Sequence, residues 1–227
     1  MPPVLTLTII AVAFLVALFV FLRLLGGNRL PSQKRRQEEL EKLKTDMDSW
    51  NGKLVTITQE ELDIFSLSQD RQVVKTGATT TAKGIFTTIF QEPILSYSYK
   101  RYLGKQVNDL LYAKSAEHEY VYWTENGRTE VSIDGQLVGE LRDRTIFGQR
   151  TGKALASIGK TARQKYLPIQ VGGREVGGLS TEPPAKEQSL NQKALEFIPK
   201  DLTQKEEQLM LALITRELVL QSIPSKK

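Results

Sequence analysis

The chain has 227 residues, a net charge of +5 and no cysteine. The absence of cysteine excludes disulfides, thiol catalysis and cysteine-ligated metal sites, and a single histidine, His118, excludes most imidazole-based sites. The length is enough for one membrane anchor and one domain of about 150 to 175 residues with its own core.

The first segment, residues 1–27, reads as a membrane anchor. Residues 4–22 contain no charged side chain, and only Thr6 and Thr8 are polar, so the stretch meets the length of a transmembrane helix. A cleaved signal peptide, the alternative, would carry basic residues before its apolar core. Here the basic residues follow the core, which predicts a retained single-pass anchor with the N-terminus outside and the following domain in the cytoplasm.

Residues 28–52 form a charged juxtamembrane connector. Within 33–50, Leu40, Leu43, Met47 and Trp50 recur at helical spacing and predict a helix with one thin apolar stripe. The stripe either packs on the following domain or contacts a helix of another subunit. The juxtamembrane basic cluster would attract anionic headgroups, with each charge contributing about 1 kcal/mol; it consists of Lys34, Arg35 and Arg36.

Residues 53–227 read as a β-rich domain of short apolar runs separated by turn residues. Asn126-Gly127 is a strong hairpin signal because both residues tolerate positive φ. The Thr-rich stretch 76–83 is predicted to be a loop. Strands are predicted at 54–58, 62–67, 72–75, 85–90, 94–99, 110–113, 119–124, 128–133, 153–158 and 194–198.

An internal repeat lies in the second half of this domain. Residues 131–141 align without gaps to residues 169–179, with glycines at matching positions. Each copy predicts a hairpin with a two-residue turn, Asp134-Gly135 or Gly172-Gly173. The second glycine of each copy, Gly139 or Gly177, would permit a bulge or a close backbone approach. The arrangement favours a meander that closes into a barrel or a strongly curled sheet.

The last element, residues 203–221, is predicted to be a buried helix. Thr203 followed by Glu206 is a capping-box signature, and residues 209–214 are apolar without interruption. Because no polar face remains over that run, the helix should be enclosed nearly all round. The predicted fold is therefore a mainly-β domain, an antiparallel barrel or curled sheet around a C-terminal helix, behind one transmembrane helix.

No reaction can be read from the sequence, and no catalytic, cofactor or metal site is predicted. Residues 154–161 resemble a relaxed phosphate-binding loop, but a strand ending in a turn is the simpler interpretation because hairpins flank it. His118 is predicted to be an exposed structural residue. The tyrosines at 97, 99, 102, 120 and 122 alternate as strands do, so they are predicted to fill a core rather than to stack on nucleic acid.

The densest basic stretch is 142–165, where only one acid, Asp143, interrupts the basic residues. A solvated loop face is one interpretation. In a membrane-tethered domain the functional alternative is a site for headgroups or phosphate. The candidate residues are Arg142, Arg144, Arg150, Lys153, Lys160, Arg163 and Lys165.

Residues 53–223 resemble the tubby-like superfamily, which includes the phospholipid scramblases and the LURP-one-related proteins. The resemblance is carried by the hairpins IDGQLVGEL and VGGREVGGL, the strand that begins at Tyr166, and the terminal EEQLMLALITREL. It implies an antiparallel barrel around a hydrophobic C-terminal helix, and phosphoinositide or phospholipid contact through basic side chains rather than established catalysis. The chain departs from the family in its N-terminal membrane helix and its lack of cysteine for palmitoylation. No family binding residue transfers.

Three functional hypotheses follow. The first is a membrane-tethered, non-enzymatic binding module that contacts anionic lipid headgroups or an integral-membrane partner. The second is a structural or assembly subunit of a larger membrane complex. The third, which the sequence favours least, is an enzyme acting on lipid or envelope substrates.

Overall fold

A computed structural model describes residues 12–19, 35–77, 79–181 and 192–223. In these residues the chain forms a helical stretch at 12–19, two short helices and a 3-10 helix before the first strand, twelve antiparallel strands, and one long helix after the last strand. The helices are α1 (Arg36–Thr45), α2 (Asp48–Asn51), the 3-10 helix η1 (Gln59–Ile64) and α3 (Gln204–Ser222). The strands are β1 (Phe65–Thr76), β2 (Thr80–Thr88), β3 (Pro93–Arg101), β4 (Asp109–Ser115), β5 (Glu119–Glu125), β6 (Arg128–Ile133), β7 (Gln136–Arg142), β8 (Thr145–Gly148), β9 (Ala154–Ile158), β10 (Tyr166–Val171), β11 (Arg174–Ser180) and β12 (Leu195–Glu196).

The strands form a nearly closed barrel. Each strand pairs with the next one in the chain, from β1 through β12. The seam between the first and last strands is short: Ser66 bridges Lys193, and the Ala194 amide donates to the Phe65 carbonyl at 2.7 Å. Because the order is a simple meander, consecutive connections lie at alternate ends of the barrel.

α3 fills the barrel, as the sequence predicted. Thr203 and Glu206 form the capping box, in which the Thr203 amide donates to the Glu206 carboxylate at 2.8 Å. Every residue from Leu209 to Thr215 is buried. From the inner wall, the Tyr122 hydroxyl donates to the Ala212 carbonyl at 2.5 Å, which ties the middle of the helix to β5. The barrel and helix therefore share one core.

The repeat is a pair of bulged hairpins. In the first copy, Gly139 pairs with Val131 while Leu137 pairs with Ser132, which leaves the residue between them as a bulge. In the second copy, Gly177 pairs with Ile169 while Glu175 pairs with Gln170, which leaves the residue between them as the equivalent bulge. The glycines serve different contacts. A Cβ on Gly139 would lie 1.9 Å from the Phe147 carbonyl oxygen. Gly177 instead has φ +151, and a Cβ there would contact Ile198, which follows β12, and Met210 of α3.

α1 packs on the outside of the barrel. Leu43 of α1 and Met47, two residues after its end, are buried in a second apolar cluster with aromatic side chains of the barrel's outer face. The predicted connector helix is thus confirmed in part: the helix is interrupted at residues 46–47. Of the two predicted contacts for the apolar stripe, packing on the following domain is the one observed.

Several predicted strand boundaries were wrong. Residues 54–58 are not a strand, and the predicted strand 62–67 begins with the 3-10 helix η1, because Thr58 and Glu61 form a second capping box that starts a helical turn. The predicted loop 76–83 is mostly strand, since β2 already begins at Thr80. The predicted strand 85–90 ends at Thr88, and the last strand is only Leu195–Glu196. β8 was not predicted. The other predicted strands, and the buried tyrosines, are confirmed.

The predicted transmembrane helix, residues 4–22, lies largely outside the described residues. Of it, only 12–19 are described, as a helix with exposed side chains. Among the described residues, no helix has both the length and the apolar character needed to cross a membrane.

Candidate functional site

The meander brings connections that are distant in sequence to the same end of the barrel. The β3/β4, β5/β6, β7/β8 and β9/β10 connections lie at one end, and the β4/β5, β6/β7, β8/β9 and β10/β11 connections lie at the other. α3 starts at the second end, where Gln208 contacts His118 of the β4/β5 connection. It finishes at the first end, where Glu217 meets the β7/β8 turn.

The first end is basic. Its described connections contain one acid, Asp143, and five exposed basic residues, which we call the basic rim: Lys105, Arg144, Lys160, Arg163 and Lys165. The described connections of the opposite end, including the link from β12 to α3, carry the basic residues Arg150, Lys153 and Lys200 and the acids Glu92, Glu117, Asp134 and Asp201. The barrel is therefore polarised in charge along its axis.

The structure divides the basic residues singled out in the sequence. Arg144, Lys160, Arg163 and Lys165 lie on the basic rim, whereas Arg150 and Lys153 lie in the β8/β9 connection at the opposite end. Arg142, the last residue of β7, adjoins the rim but stacks over the Phe147 ring at 4.9 Å. Lys105 was missed, because its place at the same end of the barrel as the β9/β10 loop depends on the order of the strands rather than on sequence distance.

Two rim arginines have acidic partners among the described residues. Arg144 Nη2 lies 2.5 Å from Glu217 Oε1, and Arg163 Nη1 lies 3.2 Å from Glu175 Oε2. Lys160 has no ion pair with the residues the structure describes. Exposed ion pairs contribute only about 0–1 kcal/mol. An external anion can therefore replace these carboxylates at small cost.

α1 begins at the rim end, on the outer face of the barrel. Arg36, the first residue of α1, hydrogen-bonds Glu125 at the end of β5, and Lys44 near the last turn pairs with Glu119 at its start. α1 thus runs along β5 away from the rim. The start of α1 therefore lies at the basic end of the barrel.

The predicted juxtamembrane cluster is only partly described. Lys34 lies outside the described residues, and Arg35 is the exposed N-cap residue of α1. Arg36 is engaged with the barrel: its guanidinium lies 4.5 Å from the centre of the Trp123 ring and pairs with Glu125 and Glu130. This residue fixes α1 rather than projecting into solvent.

A buried carboxylate holds the middle of α1. Glu39 accepts hydrogen bonds from Lys100 at 2.6 Å, Lys42 at 2.7 Å and the Tyr102 hydroxyl at 3.1 Å. Burial opposes ionisation of Glu39, yet the bonds from Lys100 and Lys42 together outweigh it and keep its pKa below the ordinary value. α1 is thereby fixed in one orientation on the barrel.

A groove of about 720 Å³ lies beside α1 on the outer face of β5–β8. Its three arginines, Arg36, Arg128 and Arg142, are matched in number by three glutamates that also line it, Glu125, Glu130 and Glu140. Arg36 pairs with Glu125 and Glu130, and Arg142 lies 3.4 Å from Glu140. The groove therefore offers no surplus positive charge, which distinguishes it from the basic rim.

His118 has a structural role. Its Nδ1 lies 2.8 Å from Asp134 and its Nε2 lies 3.0 Å from Gln208, so it joins two connections to the start of α3. The prediction that it is exposed was wrong, since 13% of its side chain is exposed. No group of three or more potential metal ligands is found among the described residues. Residues 154–161 form β9 and a loop without a following helix, which confirms a strand ending in a turn.

Comparison with known proteins gives no match to a family model, to a curated protein or to a solved structure.

Proposed function

We propose that the chain is a membrane-tethered, non-enzymatic binding module whose basic rim contacts anionic lipid headgroups. One observation carries the proposal: the end of the barrel with the surplus positive charge is also the end at which α1 begins. An anchor over residues 1–27 would hold this end nearest the bilayer. The opposite end, with its acids, would point away from the negatively charged surface.

The strength of the contact follows from the charge count. Each basic side chain close to an anionic leaflet contributes about 1 kcal/mol. Two rim residues on one loop, Lys160 and Arg163, would together contribute about 2 kcal/mol, or roughly thirtyfold in occupancy. The attraction must weaken with salt, because the Debye length falls from about 10 Å at 0.1 M to about 3 Å at 1 M.

The resemblance to the tubby-like superfamily is consistent with this proposal and belongs to it. The family architecture, a barrel around a hydrophobic C-terminal helix, is the architecture observed here. Phospholipid contact through basic side chains remains an expectation from that resemblance.

The test uses the full chain in nanodiscs, with or without about 30 mol % phosphatidylserine. Since the chain has no cysteine, Thr161→Cys on the rim and Thr151→Cys at the opposite end each give a single fluorophore site. A headgroup-linked quencher should quench the label at 161 when phosphatidylserine is present, and less as salt rises. The label at 151 should not respond.

Charge variants distinguish a specific contact of the basic rim from a general attraction of the whole protein to the anionic bilayer. Changing Lys160, Arg163 and Lys165 together to Gln should abolish the salt-dependent quenching. The matched control removes the same charge at the other end: Arg150, Lys153 and Lys200 to Gln should leave it unchanged. Equal quenching at both ends, or quenching that ignores phosphatidylserine, would reject the lipid proposal. A stoichiometric membrane protein that protects the rim would instead support the assembly-subunit hypothesis.

A further inference from the structure

A cavity of about 440 Å³ lies inside the barrel behind the basic rim. It is bounded by the C-terminal half of α3 and by the inner faces of strands from β3 to β9. Its mouth lies at the rim end, where Arg144 of the β7/β8 turn lines it. The volume is within the range of small-molecule sites, about 300–1,000 Å³.

At the floor of the cavity, Asp109 and Arg216 form an ion pair in which two polar atoms have no hydrogen-bond partner among the described residues. Asp109 is 1% exposed, and its Oδ1 lies 3.7 Å from Arg216 Nη2. The other carboxylate oxygen accepts from the Tyr99 hydroxyl at 3.3 Å, and Arg216 Nη2 donates to Thr124 Oγ1 at 3.1 Å. Two buried atoms, Asp109 Oδ1 and Arg216 Nε, have no hydrogen-bond partner among the described residues. Such groups are rare in folded proteins and call for an explanation.

Aliphatic side chains line the middle of the cavity, and charged residues line its mouth at the rim end: Arg101, Arg142, Asp143, Arg144 and Glu217. The side chains that line it between the ion pair and the mouth come from two strands and from α3: Leu141, Ile158, Leu213, Leu220 and Ile223. Leu220 and Ile223 follow Arg216 along the helix and are therefore nearer to the mouth. A ligand would meet one acceptor and one donor on the floor, and apolar surface along its length.

We propose that this cavity binds a neutral, hydroxyl-bearing aliphatic molecule. One hydroxyl group can both donate to Asp109 Oδ1 and accept from Arg216 Nε, which satisfies the two atoms at once. The head must be neutral, because Asp109 and Arg216 already balance each other and a further charge would lack a partner in the buried site. The aliphatic body then lies along Leu220 and Ile223. The source of this molecule, the bilayer, rests on the proposed function. The chemistry of the cavity is independent of that function.

The test is photolabelling of the full chain in nanodiscs with an eight-carbon alcohol that carries a diazirine in its chain. Mapping by mass spectrometry distinguishes the cavity from labelling of the lipid-exposed anchor. Labelling should fall on residues 209–223. Excess 1-octanol should suppress it, and octanoate and octylamine, which have the same chain with a charged head, should be at least about tenfold weaker competitors.

Two variants locate the site. Leu220→Trp narrows the mouth at a partly exposed position, and Arg216→Met with Asp109→Asn removes the polar floor. Each should reduce labelling about tenfold. Leu103→Trp, at an exposed rim leucine that does not line the cavity, is the matched control and should have no effect. If the floor variant fails to fold, as judged by its melting transition, Leu220→Trp alone decides the question.

Labelling that is unchanged by Leu220→Trp, absent from 209–223, or competed as well by octanoate as by octanol overturns the proposal. These outcomes are independent of the rim. Loss of salt-dependent quenching with intact cavity labelling would reject the proposed function alone, and the reverse pattern would reject the cavity ligand alone.

Discussion

Replacing Leu211 with Asp should prevent the domain from folding. Leu211 lies in the middle of α3 and is 5% exposed. Removing a buried leucine forfeits about 1.5–3 kcal/mol of apolar burial, and a carboxylate without a partner in the core costs several kcal/mol more. The combined loss of about 5 kcal/mol or more is comparable with the whole stability of a domain, about 5–15 kcal/mol.

The measurement is guanidinium unfolding of the full chain in mild detergent, followed by tryptophan fluorescence from Trp50 and Trp123. Leu211→Ala should lower the free energy of unfolding by about 2–5 kcal/mol, which gives a measurable intermediate case. Leu137→Asp is the control, since the same chemical change falls on a leucine that is 41% exposed. If Leu211→Asp unfolds at the same midpoint as Leu137→Asp, α3 is not the core of the barrel in solution.

Three further predictions concern the connector, the repeat and the anchor. Glu39→Gln should weaken the attachment of α1 by about 1–3 kcal/mol, whereas the exposed neighbour Glu38→Gln should not. Since the folded pKa of Glu39 is lowered, its contribution is complete above the ordinary glutamate pKa of about 4.3 and is lost as the pH falls through the folded value, so the acid dependence of Trp123 fluorescence should flatten in Glu39→Gln. Gly139→Ala should disrupt the β7–β8 pairing and lower the melting temperature, because the new Cβ would meet a backbone oxygen at 1.9 Å, while Gly52→Ala, with nothing within 4 Å, should be neutral. Protease added to intact cells should leave residues 53–227 uncut, and digestion from outside would reverse the predicted topology.

The sequence predicted correctly those helices and turns that are determined by neighbouring residues. The capping pattern predicted where α3 begins, and its apolar run predicted that it is buried. The glycine-bearing turns gave the hairpins, because positive φ at Asn126-Gly127 and Asp134-Gly135 depends on those residues alone. A helical start before the predicted strand 62–67 could be read from the sequence, since Thr58 and Glu61 show the same capping pattern as α3. β8 was missed because its turn, Asp143-Arg144, takes positive φ without a glycine.

The candidate site depends on topology and could not be read from neighbouring residues. Contiguity suggested one basic patch, but in a meander two successive connections lie at opposite ends, which separates Lys153 from Lys160. The cavity floor joins Asp109 of β4 to Arg216 of α3, residues that no local pattern relates. Long-range pairs of this kind appear only once the strand order is known.

The position of α3 after the strands has a consequence for biosynthesis. Ribosomes release the barrel strands before the segment that fills them, so a nascent chain that has reached β12 still lacks Leu209, Met210 and the rest of the shared core. The inner faces of the strands remain uncovered during that interval, and contacts of high sequence separation form last. Folding of this domain is therefore expected to complete only after the helix has emerged, and chaperone protection should matter most for chains arrested between residues 196 and 209.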